Sequence, residues 1–548
     1  DLERILTRQA TLVSHLDAGS RKTALLLSLG EIGARAHREL ALDDEWAAFA
    51  QRMLDEASRD AAASSDYRSI SFALGWKGGI FEQDDPAAAM ALSRRAVFHA
   101  QRVGADDALL LWEWQTARLH QRAGNYEQAI AAFDRAAESL ERIRPGLDER
   151  DRLRFDTQIG PLYRQYTDLL LSANDEHTSL ASADRIATAR AILEEFRQSE
   201  LEDYLGQQCV VENPNSAVSS GSTTYYPIVF DDRVEIIVEH DGRLHQRTTA
   251  ITRRALTRHI RQFRRALEES ANRFDDADAR VLHSVLIEPV VDLLADTTTL
   301  VIVPDGPLRT VPFSALTDGE TFLVDRFALA TTPAIKLTPS DGGERDAATP
   351  NSAFVAGLSA SVQGYAALPQ VEREVSRLNA VLQSRVMINE SFLRDAAGQE
   401  LAENPFTIAH FATHGEFSNE YSDSFMLTFD GKLTMAALES ALKARTANIG
   451  GRLDLLVLSA CHTAAGDDRA ALGLAGLAIQ SGAESVVGSL WSISDAATAD
   501  LMAAFYDHLE RKQPIAASLR NAQRQLKSVP TYSHPRFWAP FVLVGDWN

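Results

Sequence analysis

Cysteine is nearly absent: 548 residues carry only Cys209 and Cys461. Two thiols cannot build a disulfide framework, which points to a reducing compartment and excludes the disulfide-stapled secreted scaffolds. Also missing is any apolar run near the ~18 residues that a membrane helix needs. The longest candidate, Ala470 to Ala483, is broken by Gly473, Gly476, Gln480 and Gly482. No charged and apolar leader pattern follows Asp1, so no secretory signal is expected and the expected location is cytoplasmic. Positive charge is in deficit, with 55 Lys+Arg against 76 Asp+Glu and a net charge of −21, which argues against a nucleic-acid-coating protein. No Walker A sequence occurs, and Gly357-Leu358-Ser359-Ala360-Ser361 misses the last glycine of a serine nucleophile elbow.

What remains is globular: 45% hydrophobic and 24% charged residues, over a length that suits three or four domains. Residues 1–205 read as helical throughout, with apolar residues at three- and four-residue steps and abundant alanine. Gly124-Asn125-Tyr126-Glu127-Gln128-Ala129-Ile130, followed by Phe133 and Ala136, has the turn and small packing residues of a tetratricopeptide-like helix pair. Leu29-Gly30 and Leu74-Gly75 echo it, and Ala89 and Ala96 are placed like Ala129 and Ala136. A non-repeat helical bundle is the alternative. Either form offers a surface to a partner.

Beyond Cys209 the pattern changes. Residues 206–222 read as a linker, and 339–352 as a second one. Between them, Tyr226–Phe230, Val234–Glu239 and Leu244–Thr249 alternate as the strands of a meander, and Thr299–Val303 is a buried strand. After 352, strands and helices alternate: Ala353–Gly357, Thr407–Ala412, Leu455–Ser459, Ser485–Leu490 and Phe541–Val544 are runs of the kind buried on both faces of a parallel sheet. In such α/β folds reactive groups sit at the carboxyl ends of strands.

Two of those ends carry chemistry. Ile408–Ala412 leads into Thr413-His414-Gly415, and Val457-Leu458-Ser459 leads into Ala460-Cys461-His462. If the two strands are neighbours, Cys461 and His414 meet, and the imidazole can raise the thiolate fraction of the cysteine. Gly415 lets a backbone N–H approach a carbonyl without a Cβ in the way, and the N–H of Cys461 completes an oxyanion hole. The plain alternative is that Cys461 is a small buried residue. His410 and His414 stand at i and i+4, but position 411 is Phe and the segment reads as a strand, whose i and i+4 side chains lie about 13 Å apart. No metal site is expected, and His410 reads as a core or supporting residue.

The stretch from Pro304 onward also resembles the CHAT domain, a bacterial caspase-like module typically found behind tetratricopeptide repeats. The resemblance rests on blocks kept in order. They are Pro304-Asp305-Gly306-Pro307-Leu308, Pro312-Phe313, Leu368-Pro369 before Glu372 and Glu374, His410–Gly415, Leu458–Thr463, Gly482-Ala483, Ser489–Trp491 to Asp495, His534–Trp538, and Phe541–Asp546. It implies a caspase–separase fold at 353–548, preceded by a degenerate caspase-like subdomain at 223–338, with a Cys461–His414 dyad. His462 departs from the acidic or amide residue common in the family. The resemblance further implies that Asp495 receives a basic P1 side chain, with Trp491 and His462 as nearby substrate contacts. Alternatively, Asp495 caps the helix that starts at Ala496.

Arg253, Arg254, Arg258, Arg261, Arg264 and Arg265 crowd one helix, either for an anionic partner or as a solvated face pairing with Glu268 and Glu269. The expected protein is a tetratricopeptide-like array (1–205) regulating a caspase-like cysteine endopeptidase. It would cut a dedicated protein in a bacterial defence or programmed response, and would need no cofactor. An activating or inhibiting protein or ribonucleoprotein is expected on the array, without membrane or direct nucleic-acid binding. A catalytically silent scaffold is the rival.

Overall fold

The computed structural model describes residues 2–39, 44–144, 149–174, 176–205, 221–268, 274–338, 352–418, 423–449, 453–459, 461–463, 476, 483–491 and 493–548, without the side chains of 2–4, 39, 149–158, 203, 417 and 461–463. The expected linkers up to 220 and 351, Cys209 and most of the apolar run after Ala470 lie outside these residues, as do the side chains of Cys461 and His462, while Ser222 and Ser352, expected as linker ends, open strands. The chain divides into two compact units, Asp1–Ile192 and Leu193–Asn548.

Among the described residues, the first unit is all helix: α1 (Leu2–Ser14), α2 (Ser20–Glu39), α3 (Asp44–Ala63), α4 (Tyr67–Phe81), α5 (Pro86–Gln101), α6 (Asp106–Arg122), α7 (Tyr126–Ile143), α8 (Glu149–Ser172) and the start of α9 (Ser182–Leu205). Sequence punctuation sets the ends. Asp66 and Asp85 cap α4 and α5 by accepting from the amides of Ser69 and Ala88, and Pro86 opens α5. Helices pack as the pairs α2/α3, α4/α5 and α6/α7. The residues flagged by pattern sit at the seams: Ala89, Ala96, Ala129 and Ala136 are fully buried. Gly75 lies so close to the Trp112 indole that a Cβ there would stand 2.1 Å from it. Trp112 in turn donates to Ser71 Oγ (3.1 Å), and Gln115 donates to Ser93 Oγ (2.8 Å) and the Gly75 carbonyl (3.2 Å). This is a helical repeat array.

The second unit is a mixed α/β domain. Its strands are β1 (Ser222–Val229), β2 (Val234–His240), β3 (Arg243–Thr249), β4 (Thr299–Ile302), β5 (Ala328–Thr331), β6 (Ser352–Gly357), β7 (Gln383–Ile388), β8 (Ile408–Ala412), β9 (Gly415–Phe417), β10 (Phe425–Leu427), β11 (Lys432–Thr434), β12 (Leu453–Leu458), β13 (Cys461–Thr463), β14 (Ala483–Ser489) and β15 (Phe541–Gly545). Helices α10 (Arg253–Glu268), α11 (Ala277–Leu286), α12 (Leu323–Arg326), α13 (Val371–Val381), α14 (Arg394–Glu403), α15 (Met435–Ile449), α16 (Asp495–Glu510) and α17 (Ile515–Ser528) flank them. Eleven strands form one sheet in the order β3-β2-β1-β4-β5-β15-β14-β12-β8-β6-β7. The blocks at 223–338 and 353–548 therefore share a sheet, joined where β15 runs parallel to β5 and antiparallel to β14. The parallel strands of the two blocks thus run in opposite directions, with the change at the β15/β14 pair.

The core strands β6, β8, β12 and β14 are parallel, and both their faces are buried by aliphatic and aromatic side chains such as Phe354, Phe411, Leu456 and Val486. A second sheet, β11-β10-β9-β13, lies beyond the carboxyl ends of β8 and β12. The arginine-rich helix α10 does not present six arginines on one face. Arg264 is buried, paired with Glu268 (2.6 Å), donating to the Thr310 carbonyl (3.1 Å) and lying over the Trp491 ring, while Arg253 pairs with Asp231 (3.2 Å). Among the described residues no helix is long and apolar enough to cross a membrane.

Candidate active site

Strand register builds the site. In the parallel pair β8/β12, Val457 stands opposite His410 and Leu458 opposite Phe411, so the two strands end side by side. Thr413 and His414 leave the large sheet, and Gly415 enters the small one as the first residue of β9. Cys461 opens β13, which pairs with β9 in parallel so that Cys461 is the register partner of Gly415 and His462 that of Glu416. Neighbouring strands are about 4.8 Å apart, so the Cys461 backbone is one strand spacing from the residue that follows His414.

Register also orients the Gly415 amide. Gly415 faces Met426 across β9/β10, while Leu427 N–H donates to the His414 carbonyl (2.8 Å). That bond makes 414/427 the hydrogen-bonded pair and 415/426 the non-bonded one. The N–H of Gly415 therefore points away from β10, toward the strand of Cys461.

His414 is half-buried, and its Nε2 lies 2.8 Å from the Ala366 carbonyl. A carbonyl only accepts, so Nε2 carries the proton and, in the neutral ring, Nδ1 keeps its lone pair. The Tyr365 ring lies 5.3 Å from the imidazole, centroid to centroid. The loop carrying both residues is pinned at its base. Asn389 Oδ1 accepts from the amides of Ser359 (2.9 Å) and Ala360 (3.1 Å), and Ser359 Oγ donates to Glu372 (2.9 Å). Ser359 is thus committed to fold bonds. Ala366 escaped sequence reading because a backbone carbonyl has no side-chain signature; the only pointer was its nearness to Leu368-Pro369.

Four residues before His414, in the middle of β8, His410 is fully enclosed. Its Nε2 lies 2.8 Å from Glu374 and its Nδ1 3.1 Å from the Tyr506 hydroxyl. Burial and then the charge of Glu374 hold the Tyr506 phenol well above its usual range. His410 is a supporting core residue.

Asp495 is the first residue of α16, yet its carboxylate does not cap that helix. It accepts from the Gln370 amide (2.5 Å), at the start of α13. The capping expectation is corrected to this extent: the carboxylate serves the neighbouring helix, because Gln370 brings an unpaired amide within reach. Burial raises the Asp495 carboxyl above its ordinary range, the Gln370 bond offsets part of that, Glu374 adds to it, and His414 works against it. Trp491 is 4% exposed, donates to the Arg536 carbonyl (3.3 Å) and lies under Arg264. The expectation of a substrate contact is corrected here to a packing role, because the side chain is buried, Arg264 covers its ring and its N–H is taken by the fold. His462 has a backbone place in β13 beside Glu416.

Compared with known proteins, residues 276–546 match the model of the CHAT domain. The mouse protein named tetratricopeptide repeat protein 28 is 24% identical over 324 residues, covering 49% of this chain and 13% of that protein. Its human namesake is 35% identical over 68 residues, covering 12% of this chain and 3% of that protein. The chain thus spans a small part of the length of these relatives. Among solved structures, a Saccharomyces cerevisiae separase–securin complex aligns with 99% of this chain and 48% of its own at 9% identity and a TM-score of 0.44. The Arg-specific cysteine proteinase gingipain R aligns with 53% of this chain and 74% of its own at 9% identity and a TM-score of 0.34.

Proposed function

We propose that this chain, which carries a CHAT domain behind an N-terminal helical array, is a cysteine endopeptidase with Cys461 as nucleophile and His414 as base. The observation that carries the reading is the register of Cys461 with Gly415, directly after His414 and beyond the adjoining ends of β8 and β12. Nδ1 of His414 takes the thiol proton while Ala366 holds Nε2–H. The thiolate attacks the scissile carbonyl carbon, and the amides of Gly415 and Cys461 receive the negative oxygen. The imidazolium then protonates the leaving amine, and water, deprotonated by the same imidazole, hydrolyses the thioester and frees the thiol.

Asp495, half-buried and within electrostatic reach of His414, is the candidate receiver of a basic P1 side chain. The helical array contributes no comparable cluster of reactive groups among its described residues, so its proposed part is to hold a regulating protein or ribonucleoprotein. A cytoplasmic place is proposed from the two-cysteine composition, and a role in a bacterial defence or programmed response from the resemblance to the family.

The test is covalent. A peptidyl acyloxymethyl ketone with a basic P1 residue should label the wild type at Cys461, and Cys461→Ala and His414→Ala should both lose labelling and cleavage while melting normally. Cleavage surviving in Cys461→Ala would overturn the dyad. A wild type that melts normally and, with or without candidate partners, neither labels nor cleaves would favour the scaffold.

A further inference from the structure

Helix α9 runs to Leu205, and its last part, from Leu193, belongs to the α/β unit. Three buried contacts fix that part. Glu194 accepts from the Tyr226 hydroxyl (2.8 Å) and from the amides of Ile335 and Lys336 (3.1 Å each). Arg197 pairs with Asp305 (2.6 Å) and with Glu200 (2.5 Å), and Glu200 also holds Arg309 (2.5 Å). The second oxygen of Asp305 accepts from the Val229 amide (2.8 Å), at the end of β1. Buried ion pairs are poor stabilisers against apolar replacements, but they fix geometry, since any shift strands a charge. The Asp305-Gly306 motif therefore has a task apart from the dyad: it sets the angle at which α9 ends.

That end reaches the segment after β9 and the core behind the two strands that lead to the dyad. Leu201, Tyr204 and Leu205 pack into the same core cluster as Phe411 of β8 and Leu458 of β12. The Tyr204 hydroxyl donates to the Ser418 carbonyl (2.9 Å), one residue past β9. Leu205 and Leu201 lie against Gly476, downstream of β13, where an added Cβ would stand 2.8 Å from the first and 3.7 Å from the second.

We infer that the tip of α9 is a positioning clamp on the β9 and β13 segments, with Tyr204 as its hydrogen-bonding member. Tyr204 touches no reacting atom. It holds the far end of β9, and through the β9/β13 ladder the register that sets Cys461 beside Gly415. The inference rests on the dyad reading for its consequence in catalysis, but the clamp itself is testable without it.

In the full chain, Tyr204→Phe keeps the ring and its packing and removes the hydroxyl that bonds the Ser418 carbonyl. Hydrogen exchange is measured first, in a Cys461→Ala background, so that activity plays no part. Exchange should rise in peptides covering residues 413–418 and 461–463 and stay unchanged over β1, β2 and β4, with the melting temperature moving by no more than about 2 °C. Unchanged exchange in both segments overturns the clamp, and so does a uniform rise across the α/β unit.

With Cys461 present, the same substitution should slow covalent labelling about fivefold and lower kcat with KM unchanged. A Gly476→Val variant, which pushes on the same tip, should slow it similarly. Wild-type rates in both variants alongside raised exchange would overturn the positioning role. A wild type that never labels counts against the protease reading, and the exchange result still decides the clamp.

Discussion

The two units are built on opposite uses of the buried side chain. In the array many of the fully buried positions are small: Ala50, Ala57, Ala61, Ala89, Ala96 and Ala100 line the seams, and Gly75 takes the face of Trp112, which with Phe133 and Tyr166 is among the few large rings enclosed there. Helices joined this way gain stability from close approach, and the polar groups they enclose, such as Gln115 with Ser93 and Glu113 with Arg135, bond one helix to the next. The α/β unit fills its sheet with branched and aromatic residues, yet it also buries Glu374, His410, Arg197 and Asp305. Those groups cost free energy to enclose, and each is paired in the fold. The difference teaches where to look for function: the array spends its buried positions on stability, whereas the domain spends several on holding loops and helix ends in place.

The comparison breaks most visibly at Gly75. If the array depends on close approach, Gly75→Ala drives a Cβ into the indole of a fully buried tryptophan, and overpacking of this kind costs up to about 3 kcal/mol. Denaturant unfolding should show the loss in the array, while labelling of Cys461 at low denaturant keeps its rate. A neutral Gly75→Ala would mean that the seam is loose and that the small residues there are incidental.

A smaller effect is expected from the polar cluster under the site. Glu374→Ala strands the Nε2 of a buried His410, at a cost of about 1–3 kcal/mol, whereas Tyr506→Phe removes a single hydrogen bond worth about 1 kcal/mol. Unlike Gly75→Ala, the Glu374 variant should also slow labelling, because His410 lies four residues before His414 on the strand that delivers it. Melting temperature and labelling rate together check this. Loss of stability with an unchanged rate would make the cluster a core feature like those of the array.

The same contrast explains what the sequence made legible. Alanine spacing located the helix pairs, because close packing demands small residues at fixed steps. Continuous apolar runs located β6, β8, β12, β14 and β15, because strands covered on both faces leave no room for polar residues. From strand ends alone, Cys461 and His414 could be set side by side. The strands that escaped were short or partly exposed: the four-residue β5, β7 at a sheet edge with its side chains partly exposed, and the three-residue strands β9, β10, β11 and β13. Also hidden were partners defined by backbone atoms or by distant pairing. Ala366 holds His414 by its carbonyl, Asp495 reaches the Gln370 amide, and Arg264 turns inward from a helix that reads as a basic face. Periodicity reports which side of an element is covered, and says nothing about which single polar atom meets which.

The smallest expected effect is the one that most sharpens the comparison. Burial raises the Asp495 carboxyl, so folding favours its protonated form. The sign follows: the ionised carboxylate is a cost to the fold above its folded pKa, the cost shrinks as pH falls through that value, and it vanishes below the unfolded pKa. Asp495→Asn keeps an oxygen for the Gln370 amide and removes the charge. The variant should therefore melt slightly higher than wild type at neutral pH, by a few tenths of a kcal/mol at most given solvent screening. The gap should close toward pH 3 to 4, near the ordinary range of aspartate. Melting curves of both proteins across that range decide it. A wild type that is the more stable at neutral pH, with the gap closing in acid, would mean that the fold favours the ionised carboxylate. The proposed P1 role would give a reason for keeping a carboxylate at such a cost; the buried carboxylates of the array, Glu82 and Glu113, are instead each paired with an arginine, Arg118 and Arg135.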